Sequence, residues 1–412
     1  YVASAPERPN VTNANPALWT VNANAKRRDA VTGSWAGQFD ATWDVQTGVF
    51  EHTLVFGLDA SKEEVINRQR ASTECATLPC SGASVSPVQN LLNPNPYRAW
   101  AVNDGGVLSR SDVDVESFGL YAIDTIKFGE KWRATVGVRR DSYKIDFSQI
   151  TYATGVVARR SNDVDFWNWH LGLVYKPKSN VSLYAAYGSS SNPSGEQLDS
   201  TALDYGGLDA RTSALDPERN KSYEVGAKWN VFDEHLALTA ALFRIEKENA
   251  RVAINNSTVA LVGEQRADGV ELTAGGNLTH AWSMFGGVTI LNAKTTDSPI
   301  AAAVGSKFPN VPKTSYSLTT RYQVTDKAHL GATATYNSKR YGGTTMSLAT
   351  YIPDYTRVDL FGGYQLTDNI EVSFNVLNLT DETYYDAIYR SATPFTYIAP
   401  GRSALLKVDI DF

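Results

Sequence analysis

An all-β fold, an antiparallel transmembrane β-barrel, is what this 412-residue sequence predicts. Three observations carry the prediction. Side-chain polarity alternates with period 2 along most of the chain, as it does on a strand whose successive side chains point to opposite faces. The alternating runs are about 10 to 16 residues long, against about 5 to 6 for an ordinary strand. The connections alternate tight turns with long loops, which puts all the turns at one end of a meander and all the loops at the other. No run approaches the 18 or so apolar residues of a membrane helix, and the mean hydropathy is negative. That combination fits a membrane barrel, because half of each strand faces water. The charges, 38 basic and 44 acidic for a net of -6, are spread without blocks, so no basic arm or stripe for nucleic acid is present.

The elements justify the class in order. In "KWRATVGVRR", Trp132, Ala134, Val136 and Val138 alternate with Arg133, Thr135, Gly137 and Arg139. In "KSYEVGAKWNV", Tyr223, Val225, Ala227, Trp229 and Val231 alternate with Ser222, Glu224, Gly226, Lys228 and Asn230. "PKTSYSLTTRYQV" sets Tyr316, Leu318, Tyr322 and Val324 against Ser315, Ser317, Arg321 and Gln323, and "NIEVSFNV" sets Ile370, Val372, Phe374 and Val376 against Glu371, Ser373 and Asn375. The final run, "RSALLKVDIDF", places Ala404, Leu406, Val408, Ile410 and Phe412 opposite Lys407, Asp409 and Asp411, with only Leu405 out of pattern. Roughly 15 such strands are marked, and about 12 residues at a tilt near 40° span roughly 30 Å, the thickness of a hydrocarbon core.

Tight turns are expected at Gly129-Glu130, Lys178-Ser179, Asp233-Glu234, Thr279-His280, Asp326-Lys327 and Asp368-Asn369. Long loops are expected over residues 62–111, 150–162, 193–218, 250–262, 295–311, 342–353 and 381–401. By the rule for membrane barrels the turns are periplasmic and the loops extracellular. A soluble β-sandwich is the alternative, and it would have to turn the apolar face inward. A closed sheet of so many strands is too wide for side chains to fill, so Trp229, Val372 and Ile410 should face lipid while Glu224, Glu371 and Asp409 face water. The terminal strand is expected to close the barrel against an earlier one and leave no edge.

"RSALLKVDIDF" resembles the C-terminal signature of bacterial outer-membrane proteins that the barrel assembly machinery recognises, with Phe412 as its last residue. More specifically, Pro353 to Phe412 resembles the end of TonB-dependent siderophore receptors. The carrying residues are Tyr355-Thr356-Arg357-Val358-Asp359, "NVLNLTDETYY" from Asn375 to Tyr385, and "PGR" at Pro400 to Arg402. "EHTLVFGLDAS" from Glu51, "DPERNKSYEVGAKWNVF" from Asp216 and "RADGVELTAGG" from Arg266 are similar to that family's mid-barrel strands.

The resemblance implies a receptor of the bacterial outer membrane with a 22-stranded barrel and an N-terminal plug carrying the TonB box. It also implies binding of a ferric siderophore, catecholates slightly preferred, and import driven by the TonB complex. Residues 1–412 are then a TonB-dependent receptor-like β-barrel domain, 15–16 strands of the implied 22. The plug and first strands are expected to be missing, since no candidate precedes the strands that begin near Arg27. Implied partners are the TonB complex through that plug, the barrel assembly machinery, and outer-membrane lipid and lipopolysaccharide. A passive porin-like channel, a receptor for heme or cobalamin, and an adhesive barrel are the alternatives.

Ligand contacts are expected on the external loops. The loop from Asp381 to Pro400 carries Tyr384, Tyr385, Tyr389, Arg390, Phe395 and Tyr397, and that from about 62 to 111 carries Arg68, Arg70, Tyr97, Arg98 and Trp100. Bulky, aromatic, anionic siderophores suit ring faces for stacking and guanidinium groups for charge and hydrogen bonds. Tyr97, Arg98, Trp100, Tyr389, Arg390, Phe395 and Tyr397 are therefore the candidate contacts, with Arg390 and Tyr397 foremost. Tyr384 and Tyr385 lie close enough to a strand end to belong to an interfacial aromatic girdle instead.

Cys75 and Cys80, the only two cysteines, are expected to form a loop disulfide in an oxidising compartment. Two thiols with no histidine nearby do not make a zinc site. Asp199, Asp204, Asp209 and Asp216 fit no calcium motif and read as solvated charge. The five histidines, His52, His170, His235, His280 and His329, are scattered, and there is no nucleophile elbow, phosphate loop or zinc-protease motif. No catalytic residue, metal ligand or covalently bound cofactor is expected, and the chain is not read as an enzyme.

Overall fold

The computed structural model describes residues 10–22, 29–75, 88–93, 101–195, 211–255, 258–342, 350–389 and 395–411. Over them the chain is a succession of strands. The first are β1 (Thr20–Asn22), β2 (Asp29–Thr47), β3 (Phe50–Cys75), β4 (Val88–Asn90), β5 (Ala101–Phe128), β6 (Trp132–Thr151) and β7 (Val156–Lys178). The middle of the chain supplies β8 (Val181–Asn192), β9 (Glu218–Val231), β10 (Leu236–Asn255), β11 (Thr258–Thr279), β12 (Trp282–Asp297), β13 (Thr314–Thr325) and β14 (Ala328–Asn337). Then follow β15 (Arg340–Tyr341), β16 (Tyr351–Ile352), β17 (Tyr355–Thr367), β18 (Ile370–Leu377), β19 (Tyr385–Tyr389), β20 (Phe395–Ile398) and β21 (Ser403–Ile410). Among the described residues, fifteen of these form one sheet in sequence order, and the rest make the two-stranded ribbons β1–β4, β15–β16 and β19–β20.

Cross-strand partners share a face, so the register separates the two sides. On one side run Phe39, Leu58 and Leu120, then Val225, Leu242, Val270 and Ile290, then Tyr364, Val372 and Val408. On the other run Asp40, Gly57, Tyr121, Arg139 and Asn168. The apolar side is the bare one: Trp35, Phe39 and Trp43 are 63–64% exposed, Trp229 is 52% and Ile410 50%. An apolar surface continuous over fifteen strands is far beyond what a water-soluble chain tolerates, and lipid is the solvent that suits it. Trp229, Val372 and Ile410 lie on this side and Glu224, Glu371 and Asp409 on the other, as the alternation predicts.

The expected closure by the terminal strand is not formed. Among the described residues β21 pairs with β18 alone and β2 with β3 alone, so the sheet has two free edges there, both almost wholly exposed. The reason is directional: in an antiparallel run of fifteen strands the first and last point the same way and cannot pair antiparallel.

The predicted tight turns are all present at one end of the sheet, within a residue or two of the expected dipeptides. Left-handed residues make two of them, with Gly129 at φ +65° and Phe232, Asp233 and Glu234 at +51° to +69°, and a further turn between β2 and β3 uses Gly48 at +62°. The loop end differs from expectation. β6 and β7 are joined by residues 152–155 alone, and β10 and β11 by residues 256–257, where longer loops were predicted. The loop predicted over residues 62–111 contracts because β3 and β5 run for 26 and 28 residues. Beyond the apolar band the outward face is wet, and in β5 and β6 the apolar residues move to the other face while the ladder continues. The row Trp35, Lys62, Glu116 and Lys144 shows the change of solvent on a single face.

Two features stiffen the polar face. Near the loop end Val65, Val113, Val115, Ile145 and Phe147 form a dry cluster, with Tyr143 against it. Segments 193–195 and 211–215 fold onto the same face, where Asn162 Nδ2 donates to the carbonyls of Ser213 and Leu215 at 3.0 Å each. Lower down, the rings of Tyr121, Tyr184, Phe243 and Phe361 lie over Gly57, Gly226, Gly269 and Gly331 directly across the ladder, where any Cβ would collide with the ring. At Gly226 a Cβ would sit 2.5 Å from the Tyr184 ring, whose hydroxyl donates to Glu224 at 2.6 Å. Gly226→Val should therefore cost about 1 to 3 kcal/mol through overpacking and loss of that hydrogen bond. The urea midpoint of the folded full-length protein measures it, with Gly33→Val, at a position with nothing within 4 Å, as the neutral control.

Candidate ligand-binding rim

The loop end is organised by the motifs quoted above. Asn378, immediately after β18, is 1% exposed and left-handed at φ +52°. Its backbone N–H donates to Asp359 Oδ1 at 2.8 Å, its Nδ2 donates to the carbonyls of Glu382 at 2.9 Å and Pro400 at 3.4 Å, and its Oδ1 accepts from Glu382 N at 2.9 Å. Asp381 Oδ1 accepts from the N–H of Arg402 at 2.9 Å, and Arg402 Nη1 donates back to Leu379 O at 3.3 Å. Residues far apart in the C-terminal motifs thus meet in one knot that fixes both ends of the segment between β18 and β21.

A second residue, Asn310, ties three segments together. Its N–H donates to Tyr341 O at 2.9 Å, its Nδ2 to Ile388 O at 2.9 Å, and its Oδ1 accepts from Ile388 N at 2.8 Å. Arg340 Nη2 donates to Tyr385 O at 2.9 Å, and Ile352 and Ile388 are each 3% exposed beneath the junction. Tyr384 belongs to this interior and not to an interfacial girdle. It is 8% exposed, its ring lies 4.6 Å from that of Tyr355, and its hydroxyl accepts from Arg357 Nη1 at 3.3 Å. Arg357 also pairs with Asp359 at 2.9 Å, so the guanidinium braces the knot.

On this base the β19–β20 ribbon presents three of the predicted contacts together. Tyr389 stacks on Phe395 at 5.4 Å, Tyr397 meets Tyr389 edge-on at 5.5 Å, and Phe395 and Tyr397 are perpendicular at 5.8 Å. Tyr389 is 41% and Tyr397 53% exposed, so the cluster offers ring surface to solvent. Such a surface can stack an aryl group and exclude water from it. Tyr97, Arg98, Trp100, Arg390, Cys80 and Phe412 lie outside the described residues, as do Asp199, Asp204, Asp209 and the side chain of Cys75.

Arg68 and Arg70 are placed differently from expectation. They lie on strand β3, in the face continuous with the apolar side, and both bond Asp29, at 3.4 and 2.5 Å. The Arg70 guanidinium holds the Asp29 carboxyl below the usual carboxylate range. Among the described residues no group of three or more His, Cys, Asp or Glu is placed to hold a metal ion.

Sequence reasoning missed a cationic and aromatic group on the β15–β16 ribbon. Lys339 Nζ lies 3.6 Å over the Tyr351 ring and 5.3 Å from that of Tyr341, and Lys307 Nζ is 5.5 Å from Tyr341. The signal was available: the pairing of aromatic with cation sought in the other loops also occurs beside residues 342–353. Below the rim the polar face is laced by side-chain hydrogen bonds, with Arg139 bonded to Asp59 at 2.6 and 3.0 Å and to Asp141 at 2.7 Å, and Tyr121 donating to Asp40.

Over residues 4–379 the chain matches the family described as TonB dependent receptor-like, beta-barrel. The chain belongs to the TonB-dependent receptor family. It is 34% identical to the probable TonB-dependent siderophore receptor PiuA of Acinetobacter baumannii, over 93% of this chain and 53% of that protein. It is 31% identical to the probable TonB-dependent receptor BfrD of Bordetella pertussis, over 98% of this chain and 56% of that one. The catecholate siderophore receptor Fiu of Escherichia coli K12 is 27% identical over 96% of this chain and 53% of its own length. The crystal structure of PiuA superposes with a TM-score of 0.85 at 28% identity, covering 95% of this chain and 57% of PiuA. The closed form of Fiu gives 0.83 at 26% identity, with 98% and 58% covered. This TonB-dependent receptor chain thus spans about half the length of the curated relatives it matches, and its fold and family place it in the bacterial outer membrane, crossing by strands.

Proposed function

We propose that residues 1–412 form part of the wall and outer rim of a receptor that binds a ferric siderophore from outside the cell and imports it with energy from the TonB complex. The observation that carries this reading is the aromatic cluster of Tyr389, Phe395 and Tyr397, held on a braced ribbon at the loop end, where an aryl-bearing ligand would stack. Catecholates supply such groups, and two relatives bear the name of siderophore receptors. Antiparallel closure of fifteen strands takes an odd number of further strands, which agrees with a longer receptor of 22. Coupling to TonB then runs through a plug domain outside these residues, and the tight turns face the periplasm. The same reading makes the barrel assembly machinery and outer-membrane lipopolysaccharide partners of the wall.

Uptake of radio-iron as a ferric catecholate by cells carrying the full-length receptor tests the proposal. Import should stop in cells lacking TonB while surface binding persists. Import that continues there would return the passive-channel reading.

A further inference from the structure

Two ionisable side chains interrupt the apolar face near its turn end. Asp124 lies on β5 between Leu54 of β3 and Val136 of β6, in the row that begins with Trp43. His52 is one row nearer the turns, between Val45 and Ile126. The next row holds Thr47, and along it Phe50, Phe128, Trp132 and Tyr175 follow one another with ring centroids 4.5 to 6.3 Å apart. An aromatic row of this kind marks the boundary between headgroups and hydrocarbon. The imidazole and the carboxylate therefore lie on the lipid side of that boundary, where ionisable groups are costly and leucine or valine would suit the face better.

His52 Nδ1 lies 2.8 Å from Asp124 Oδ2, and His52 Nε2 lies 2.8 Å from Thr47 Oγ1. A carboxylate only accepts, so Nδ1 carries the proton and Nε2 accepts from the Thr47 hydroxyl. Among the described residues the imidazole is the sole hydrogen-bond partner of the Asp124 side chain, whose Oδ1 is buried without one. The His52 and Asp124 side chains are mostly covered, at 19% and 25% exposed, whereas Thr47 ends β2 in the open. Beside it Gly48 has nothing within 4 Å of where a Cβ would be, and the N–H groups of Gly48 and Val49 meet no acceptor among the described residues. No motif marks positions 47, 52 and 124, because register alone brings them together. A structural staple would be redundant here, since the backbone ladders already join β2, β3 and β5 at every one of these rows.

We propose that Thr47, His52 and Asp124 form an acyl-transfer site that hydrolyses the fatty-acyl ester of a glycerophospholipid at the turn-end boundary of the membrane. The order hydroxyl, imidazole, carboxylate, with both contacts at 2.8 Å, is that of an activated nucleophile with its base and the group that orients the base. The ester carbonyls of such a lipid lie at the level of the aromatic row. Thr47 Oγ attacks the carbonyl carbon while its proton passes to His52 Nε2, and the N–H groups of Gly48 and Val49 are the donors nearest in the chain for the oxyanion. The ester C–O bond then breaks, the lysolipid oxygen takes the proton from His52, and the acyl group stays on Thr47. Water attacks the acyl carbon, gives a proton to His52, and releases the fatty acid as Thr47 Oγ takes that proton back. Asp124 is a positioning residue, holding the ring and stabilising the imidazolium. The site lies at the opposite end of the sheet from the rim and is independent of the import reading.

An alkyl fluorophosphonate, which loses fluoride to an activated hydroxyl, tests the nucleophile in the purified full-length receptor. Peptide mass spectrometry should place the label on Thr47. His52→Ala and Asp124→Asn should each slow labelling about 100-fold, and Thr47→Ser should keep it. Unchanged thermal unfolding shows that each variant is folded, and a merely structural pair would leave the labelling rate of folded protein where it was. Mixed micelles of phosphatidylethanolamine with a radiolabelled acyl chain supply an arm in which the unsubstituted receptor should release labelled fatty acid and the Thr47→Val protein should not. The site is overturned by an unlabelled Thr47 in the unsubstituted receptor, by undiminished labelling of folded His52→Ala, by no release of fatty acid, or by release that persists in Thr47→Val.

Discussion

Asn378→Ala is expected to loosen the segment between β18 and β21 by about 3 kcal/mol, from two separable terms. Removing the side chain strands the N–H of Glu382 and the carbonyls of Glu382 and Pro400 where they now have partners, and a buried polar group left unsatisfied costs about 1 to 3 kcal/mol. The left-handed backbone, at φ +52°, adds about 1 to 2 kcal/mol for an alanine. Asn378→Gly keeps the backbone freedom and loses the hydrogen bonds, so it should recover roughly 1 kcal/mol of the loss. Amide hydrogen exchange over residues 379–389 and 395–402 of the full-length receptor reads both terms. Unchanged protection in the Ala variant would show that the knot does not hold the segment.

Replacing both Tyr389 and Tyr397 with Ala should weaken ligand binding about tenfold or more and leave global stability nearly unchanged. The two rings are substantially exposed, and aromatic pairs contribute about 0.5 to 1.5 kcal/mol each beyond their area. Tyr→Phe at both positions keeps the faces and should bind within roughly twofold of the original. Equilibrium binding of a radio-iron catecholate to purified full-length receptor distinguishes the cases. If the Phe variant loses as much as the Ala variant, hydroxyl hydrogen bonds and not ring faces hold the ligand.

What the sequence disclosed, and what it concealed, follows solvent. Where one face meets lipid and the other water, as around Trp229 and Glu224, alternation names both faces and the turn dipeptides mark the ends. Past Ala60 and Phe118 the outward side is wet and the apolar residues Val65, Val113 and Val115 lie on the inward side, so a pattern followed along one apolar face loses the ladder of β3 and β5 and reads a loop. That is why Arg68 and Arg70 read as loop cations although they are strand residues tied to Asp29. Tyr384 was misplaced for a related reason: nearness to a strand end fits a girdle and a buried brace alike, and only its partners Tyr355 and Arg357 decide. The cluster of Tyr389, Phe395 and Tyr397 was legible as composition, but its mutual stacking needed the pairing of β19 with β20. The lysines over Tyr341 and Tyr351 needed a pairing that spans residues 341 to 351. The obstacle to closure was legible in the count of about fifteen alternating runs, since an odd number of strands does not close antiparallel.

The Asn310 junction has an evolutionary reach. Because Asn310 holds Tyr341 through its backbone N–H and Ile388 through its side-chain amide, the segments it joins should be inherited as one part. A graft that exchanged just one of them between receptors would unseat the other two, so a change of cargo by recombination has to carry the trio across together.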